Sequence, residues 1–286
     1  MRFDDSESDL ETLRVLDDAG RGFLGCLAPA VFHRYPYCDR AQFQNDFNHE
    51  FQTARDTAIE WFLVTEVDEE TFTAQFLNAE EAPFSRWCAY DNTLELLLIN
   101  IMKSKAHEIA GHAFGDLIKE AILDMGMRRS LVALGGPTLS ATNGAKEPDN
   151  AWKPTSLPRG RSEDWPTVVL EVAYSETQSK LRSDVRYWLR EPEEQVKTVL
   201  TCRIAQNEPR LTIERWERNG GHRGCCQQRV VVKKTRDKIV ITGAPLKLEF
   251  ARVFLRAPNG PREKDIEIEA EQLEFLAHEI WKIHPV

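Results

Sequence analysis

The chain has no apolar run close to the roughly 20 residues that would span a bilayer. Its longest, Leu94 to Met102 (LELLLINIM), has the length of a buried strand. The opening MRFDDSESDLETL is acidic and does not have the basic-then-apolar form of a secretory signal. Six cysteines (Cys26, Cys38, Cys88, Cys202, Cys225 and Cys226) fall at no paired spacing. A disulfide framework is therefore not indicated, and reduced thiols are expected. His222 with Cys225 and Cys226 is a fragment of a zinc pattern, but adjacent cysteines rarely ligate one zinc. The Asn219-Gly220-Gly221 turn beside them reads as a hairpin tip. No internal repeat is present. These absences exclude a membrane-spanning helix, a disulfide scaffold and a solenoid. They leave an intracellular protein of cytoplasm or nucleus. Its 286 residues, 42% apolar, can bury a sizeable core.

Net basic charge is lacking too: the formal charge is -9. The imbalance is uneven. Arg159 to Arg256 holds 20 Lys and Arg against 13 Asp and Glu, which leaves 17 against 33 elsewhere. A basic second half fits a protein that meets phosphate on one face.

Periodicity supplies the elements. Ser6 to Asp18 is amphipathic, with Leu10, Leu13 and Leu16 on one side, and about Asp39 to Trp61 has helical spacing. Trp61 to Thr65 reads as a strand, Asp68 to Glu70 as a turn and Thr71 to Leu77 as a second strand. Ser85 to Tyr90 and Leu94 to Ile101 read as a hairpin. Ser104 to Met125 is the strongest helix, capped by Ser104 and stopped at Gly126. Arg128 to Ala133 is a strand. A stretch rich in Pro, Gly and charge follows, from Lys146 to Pro166. Thr167 to Ala173 is a buried strand, Glu176 to Leu189 a helix capped by Ser175, and Val196 to Ile204 and Arg210 to Trp216 strands. Arg229 to Lys233 pairs with Lys238 to Thr242. Glu249 to Leu255 is a strand or short helix, and Glu269 to Trp281 a closing helix.

One residue in this series is out of place. Glu171 stands inside the apolar strand TVVLEVA, where a carboxylate costs several kcal/mol unless it is paired or bound to metal. Asp149 ends the stretch Lys146-Glu147-Pro148-Asp149. On adjoining strands, two carboxylates can hold one Mg2+ or Mn2+ by hard oxygen ligands. Plainer readings stand beside this one. Asp149 can form a turn after Pro148, and Glu171 can form a buried ion pair with Arg182 or Arg186.

Glu147-Pro148-Asp149, the strand Trp165 to Ser175 and the helix end Tyr187-Trp188-Leu189 together resemble the PD-(D/E)XK nuclease superfamily, most nearly its Uma-two group. Trp87 to Tyr90, Leu94 to Met102 and His107-Glu108 resemble the hairpin and helix start that precede Pro-Asp in that group. The resemblance spans about Ser85 to Ile204. It implies an α/β (α+β), restriction-endonuclease-like core with a central mixed β-sheet flanked by helices over residues 81–205. A mostly helical extension over 1–80 and C-terminal strands and a helix over 206–286 would surround it. It also implies a Mg-dependent endonuclease acting on nucleic acid, DNA the expected partner, with Asp149 and Glu171 as metal ligands.

The superfamily lysine, two residues after the strand Glu, is Ala173 here. By the resemblance Lys180 on the following helix is the first substitute and Arg186 the second. By the same resemblance Glu108 would be a third metal ligand, with Glu176 a weaker candidate. Lys180 and Glu108 read equally as solvated helix residues. Arg159 and Arg161 could reach phosphate from their loop, and Arg182 and Arg186 from the helix. His107 and His112, five apart, share no helix face well and are not read as ligands. A fold kept without cleavage is the competing function. A homodimer contact through Phe32, Tyr35, Tyr37 and Phe43 is a third expectation.

Overall fold

A computed structural model describes residues 22–27, 33–57, 60–174, 178–191, 194–219, 224–236 and 238–283. In chain order the elements are β1 (Arg34–Pro36), α1 (Arg40–Thr57), β2 (Trp61–Thr65), α2 (Glu69–Phe72), β3 (Trp87–Asp91), β4 (Leu96–Asn100), α3 (Lys105–Asp124), β5 (Leu131–Ala133), β6 (Leu139–Ala141), β7 (Gly144–Lys146) and β8 (Asn150–Pro154). Then come β9 (Val168–Ala173), α4 (Gln178–Arg190), β10 (Thr198–Ile204), β11 (Arg210–Arg218), β12 (Gly224–Thr235), β13 (Lys238–Thr242), β14 (Leu246–Leu248), α5 (Phe250–Phe254), β15 (Ile266–Ile268) and α6 (Ala270–Ile283). Both larger sheets are mixed and helices accompany them, so the chain has the α+β architecture that its sequence leads one to expect of a restriction-endonuclease-like fold. Among the described residues no helix is long and apolar enough to cross a membrane.

The chain divides into two units. The first comprises Met1–Lys103, Thr138–Glu147 and Ser175–Arg186. Its six-stranded sheet runs β1-β2-β4-β3-β7-β6. The core is aromatic: Phe43, Phe62, Phe72, Phe76, Phe84, Trp87 and Tyr90 are all buried. Phe72 stacks on Tyr90 at 3.9 Å between centroids, and such a pair adds about 1 kcal/mol to the area it buries. Phe43 therefore belongs to the core and is no dimer contact, while Tyr35 and Tyr37 are half-buried against the same cluster. Phe32 and the Ser6–Asp18 stretch lie outside the described residues.

The segment expected as a turn and strand over 68–77 is helical instead. Asp68 accepts the Thr71 N–H at 2.7 Å and starts α2, which runs on into a π-helical turn at Thr73–Leu77. Phe72 and Phe76, four apart, share one face and reach the core, which outweighs the strand preference of Thr71 and Thr73. Within this unit Asp184 meets two lysines, Lys146 and Lys180, at 2.9 Å each.

The second unit comprises Ser104–Pro137, Pro148–Tyr174 and Tyr187–Val286. Its seven-stranded sheet runs β13-β12-β11-β10-β9-β8-β5. β9 and β10 are parallel and the other pairs antiparallel. β9 is buried on both faces, as an unbroken apolar run requires. Val168, Leu170 and Val172 join α3 and α6 in an aliphatic core with Phe114, Leu200, Ile213, Val232, Leu276 and Ile280. α3 starts at Ser104, whose hydroxyl accepts the His107 N–H at 3.2 Å, and its face of Ala110, Phe114, Leu117 and Ile118 packs inward. Residues 249–255, open between strand and helix, form α5.

Candidate active site

β8 and β9 pair with Asn150 beside Leu170, Ala151 beside Val169 and Trp152 beside Val168. Asp149 immediately precedes this ladder, one residue before Asn150. Asp149 is also tied to the ladder: its Oδ2 accepts the backbone N–H of Val172 at 2.7 Å. A close backbone approach helps to place it. A Cβ on Gly136 would lie 2.8 Å from the Pro148 carbonyl oxygen, so a side chain there would push on the residue before Asp149.

A histidine approaches the same carboxylate. His107 stands in the first turn of α3, is 6% exposed, and brings Nε2 to 3.0 Å from Asp149 Oδ2. An ionised carboxylate only accepts, so the contact needs the proton on Nε2. Nδ1 of His107 lies 3.8 Å from Glu108 Oε1. Glu171 is 1% exposed, and its Oε1 accepts the indole N–H of Trp188 at 2.5 Å. Trp188 stacks edge-on between Trp165 and Tyr187, which fixes the indole. Sequence reading passed over both partners. The quoted pairs His107-Glu108 and Tyr187-Trp188 contained them, but nothing local in the chain tells a histidine of the first helical turn to meet Asp149.

The donor set decides which ion would suit. Among the described residues no three His, Cys, Asp or Glu side chains gather into a metal cage. Two carboxylates side by side fit Mg2+ or Mn2+, which commonly take one or two carboxylates and keep water and substrate oxygens for the rest. Glu108 does not join them. Adjacent helix residues point about 100° apart, and His107 takes the inward direction while Glu108 is 52% exposed.

The cationic candidates divide. Lys180, Arg182 and Arg186 belong to the first unit. There Lys180 is buried against Asp184, Arg186 is buried and Arg182 half-buried, so Lys180 is not a solvated helix residue. Arg159 is exposed. Arg161 ties its loop to the segment that follows α4. It donates to the carbonyl oxygens of Trp165, Pro166 and Gln195 and to the Gln195 side chain, and burial lowers its pKa. Glu176 and the Asn219-Gly220-Gly221-His222 tip, Asn219 apart, lie outside the described residues. His112 is exposed.

No family model matches the chain, and no curated protein does. Among solved structures it is similar to a protein from Anabaena variabilis described as "a putative nuclease belonging to DUF820". Identity is 12% and the TM-score 0.35, over 63% of this chain and 87% of that one. A likeness at that level fixes neither a site nor an activity.

Proposed function

We propose that this chain is a metal-dependent nuclease hydrolysing phosphodiester bonds, with DNA the expected substrate and Asp149 and Glu171 as holders of one Mg2+ or Mn2+. The observation that supports this reading is the hydrogen bond of 2.7 Å by which Val172, the residue after Glu171, donates its backbone N–H to Asp149 Oδ2. Asp149 Oδ2 is anchored to Val172 and His107, and Glu171 Oε1 to Trp188, so both carboxylates are held in fixed orientation. A bound divalent ion would lower the pKa of a coordinated water and offset charge on the phosphate. His107 keeps a proton at Nε2 on the outer side of Asp149, which positions that carboxylate.

Ala173 supports a second reading. It is fully buried and brings no cation to the strand, as in a nuclease fold kept for binding alone. One experiment separates the two. Purified protein is given plasmid and single-stranded DNA with Mg2+ or Mn2+, alongside Asp149→Ala and Glu171→Ala. The nuclease reading expects cleavage that falls at least about 100-fold in either variant. Undiminished cleavage in both would sink the site. Absence of cleavage and of millimolar ion binding by calorimetry would favour the binding module.

A further inference from the structure

The rows of side chains beside the carboxylate pair contain an arginine that nothing else uses. β10 runs parallel to β9 with Thr201 beside Glu171 and Arg203 beside Ala173. β11 extends both rows, with Glu214 beside Thr201 and Thr212 beside Arg203. Side chains two apart along a strand share a face. Glu171, Ala173, Thr201, Arg203, Thr212 and Glu214 therefore lie on one face of the sheet. Arg203 is diagonal to both Glu171 and Glu214, about 8 Å from each by strand spacing.

Its guanidinium is nonetheless engaged by neither. Arg203 is half-buried, and among the described residues its side chain makes no hydrogen bond, ion pair or ring contact. Glu214 is held by Arg229 Nε at 2.7 Å and by the Trp216 indole at 3.2 Å. The lateral neighbours Ala173 and Thr212 are uncharged. A half-buried cation with five N–H groups and no acceptor is costly in an apolar setting. Near the carboxylate of Glu171, which repels an incoming phosphodiester, such a cation has a use.

We infer that Arg203 is the phosphate contact of this site, its guanidinium donating to a non-bridging oxygen of the strand held at Asp149 and Glu171. The inference rests on the nuclease reading above and names the residue that binds the substrate's charge. The planar fork of an arginine suits two phosphate oxygens at once, which a lysine does not reproduce.

The test uses the full chain and a labelled 12-nucleotide DNA, single- and double-stranded. Binding is read by fluorescence anisotropy in Ca2+ over a range of salt. Mn2+ binding without DNA is read by calorimetry. Arg203→Ala is expected to weaken DNA binding about tenfold and to flatten the log–log salt slope by about one. Arg203→Lys should restore the slope and only part of the affinity. Mn2+ binding should persist in both. If the wild type binds DNA and Arg203→Ala binds it with unchanged affinity and slope, the role of Arg203 is overturned while the nuclease reading stands. If the wild type binds Mn2+ but neither DNA, the nuclease reading fails and takes this one with it. Loss of Mn2+ binding in Arg203→Ala would make Arg203 a support of the carboxylates and overturn a phosphate contact.

Discussion

Glu171 on β9 and Glu217 on β11 belong to one sheet and are almost equally removed from solvent, at 1% and 2% exposure. Their surroundings differ. Glu217 lies 3.1 Å from Arg215 Nη1 and 3.0 Å from Arg252 Nε, and the Thr198 hydroxyl is 3.5 Å away. Glu171 meets a neutral indole N–H, and the next residue, Val172, gives its backbone N–H to a second carboxylate, Asp149. Two guanidiniums around one carboxylate make a self-contained cluster that fastens β11 to α5. A carboxylate set against another carboxylate gains nothing for the fold from that neighbour. It gains when a cation arrives. The same residue type in the same sheet thus serves structure on one side and, in the reading proposed here, chemistry on the other.

That contrast breaks most sharply under paired substitution. Glu171→Ala should cost at least about 100-fold in cleavage while leaving a cooperative fold, since it removes a proposed ligand of the divalent ion. Glu217→Ala should do the reverse. It leaves Arg215, 11% exposed, and Arg252 with only the more exposed Glu249 as a carboxylate partner, and is expected to cost about 2 kcal/mol. Cleavage per folded molecule should not change. Urea unfolding and plasmid nicking on the same samples check both halves. If Glu217→Ala loses cleavage and keeps its stability, the division of labour is wrong.

How much of this contrast the sequence reveals depends on the range of the interactions. Local signals are faithful: Ser104 caps α3, the run at 167–173 becomes β9, and 61–65 becomes β2. Pro148-Asp149 and the lone Glu171 are legible as candidates, because a charge within an apolar strand is visible without a structure. Three-residue strands such as β6, β7, β14 and β15 leave no periodicity to detect. The strand expected over 71–77 failed because Thr71 and Thr73 favour strands locally while Phe72 and Phe76 satisfy a distant aromatic core. His107, Trp188 and Arg203 are invisible for the same reason. Each acquires its meaning only once the register of the sheet is known.

A smaller effect isolates the placement of Asp149. In Gly136→Ala the new methyl would meet the Pro148 carbonyl oxygen at 2.8 Å, and backbone must give way. A shift of a few tenths of an ångström passes directly to Asp149, whose Oδ2 is held by Val172 and His107. Near the chemistry such shifts are expensive, and cleavage should fall about tenfold. The Glu217 cluster on the other side of the sheet is untouched, so the loss of Tm should be slight. Calorimetric melting together with single-turnover cleavage checks this. A large fall in Tm with normal chemistry would show that Gly136 serves the fold and does not tune the site.

The smallest effect extends the comparison to a glutamate at the surface. Glu263 takes both Arg256 Nη atoms, at 2.6 and 2.8 Å, and the Asn259 N–H at 2.6 Å. The Arg256 hydrogen bond and then the Asn259 N–H bring its pKa down to about 2. Glu217 has two guanidiniums and still moves the other way, because burial outweighs them. The signs follow from linkage. A carboxylate with a depressed folded pKa adds stability above its unfolded value, near 4.3, and loses it as pH falls toward about 2. A carboxylate with a raised pKa costs the fold stability when ionised, and part of that cost is relieved as pH drops into the ordinary carboxyl range. Glu263→Gln should therefore lower Tm slightly at pH 7, with the gap from wild type closing below about pH 4 and shrinking in 0.5 M salt. Glu217→Gln should instead lose the gain that the wild type makes on mild acidification. Parallel melting curves from pH 7 to pH 3 separate the two. A Glu263→Gln gap that widens on acidification would reverse the sign assigned to the Arg256 pair.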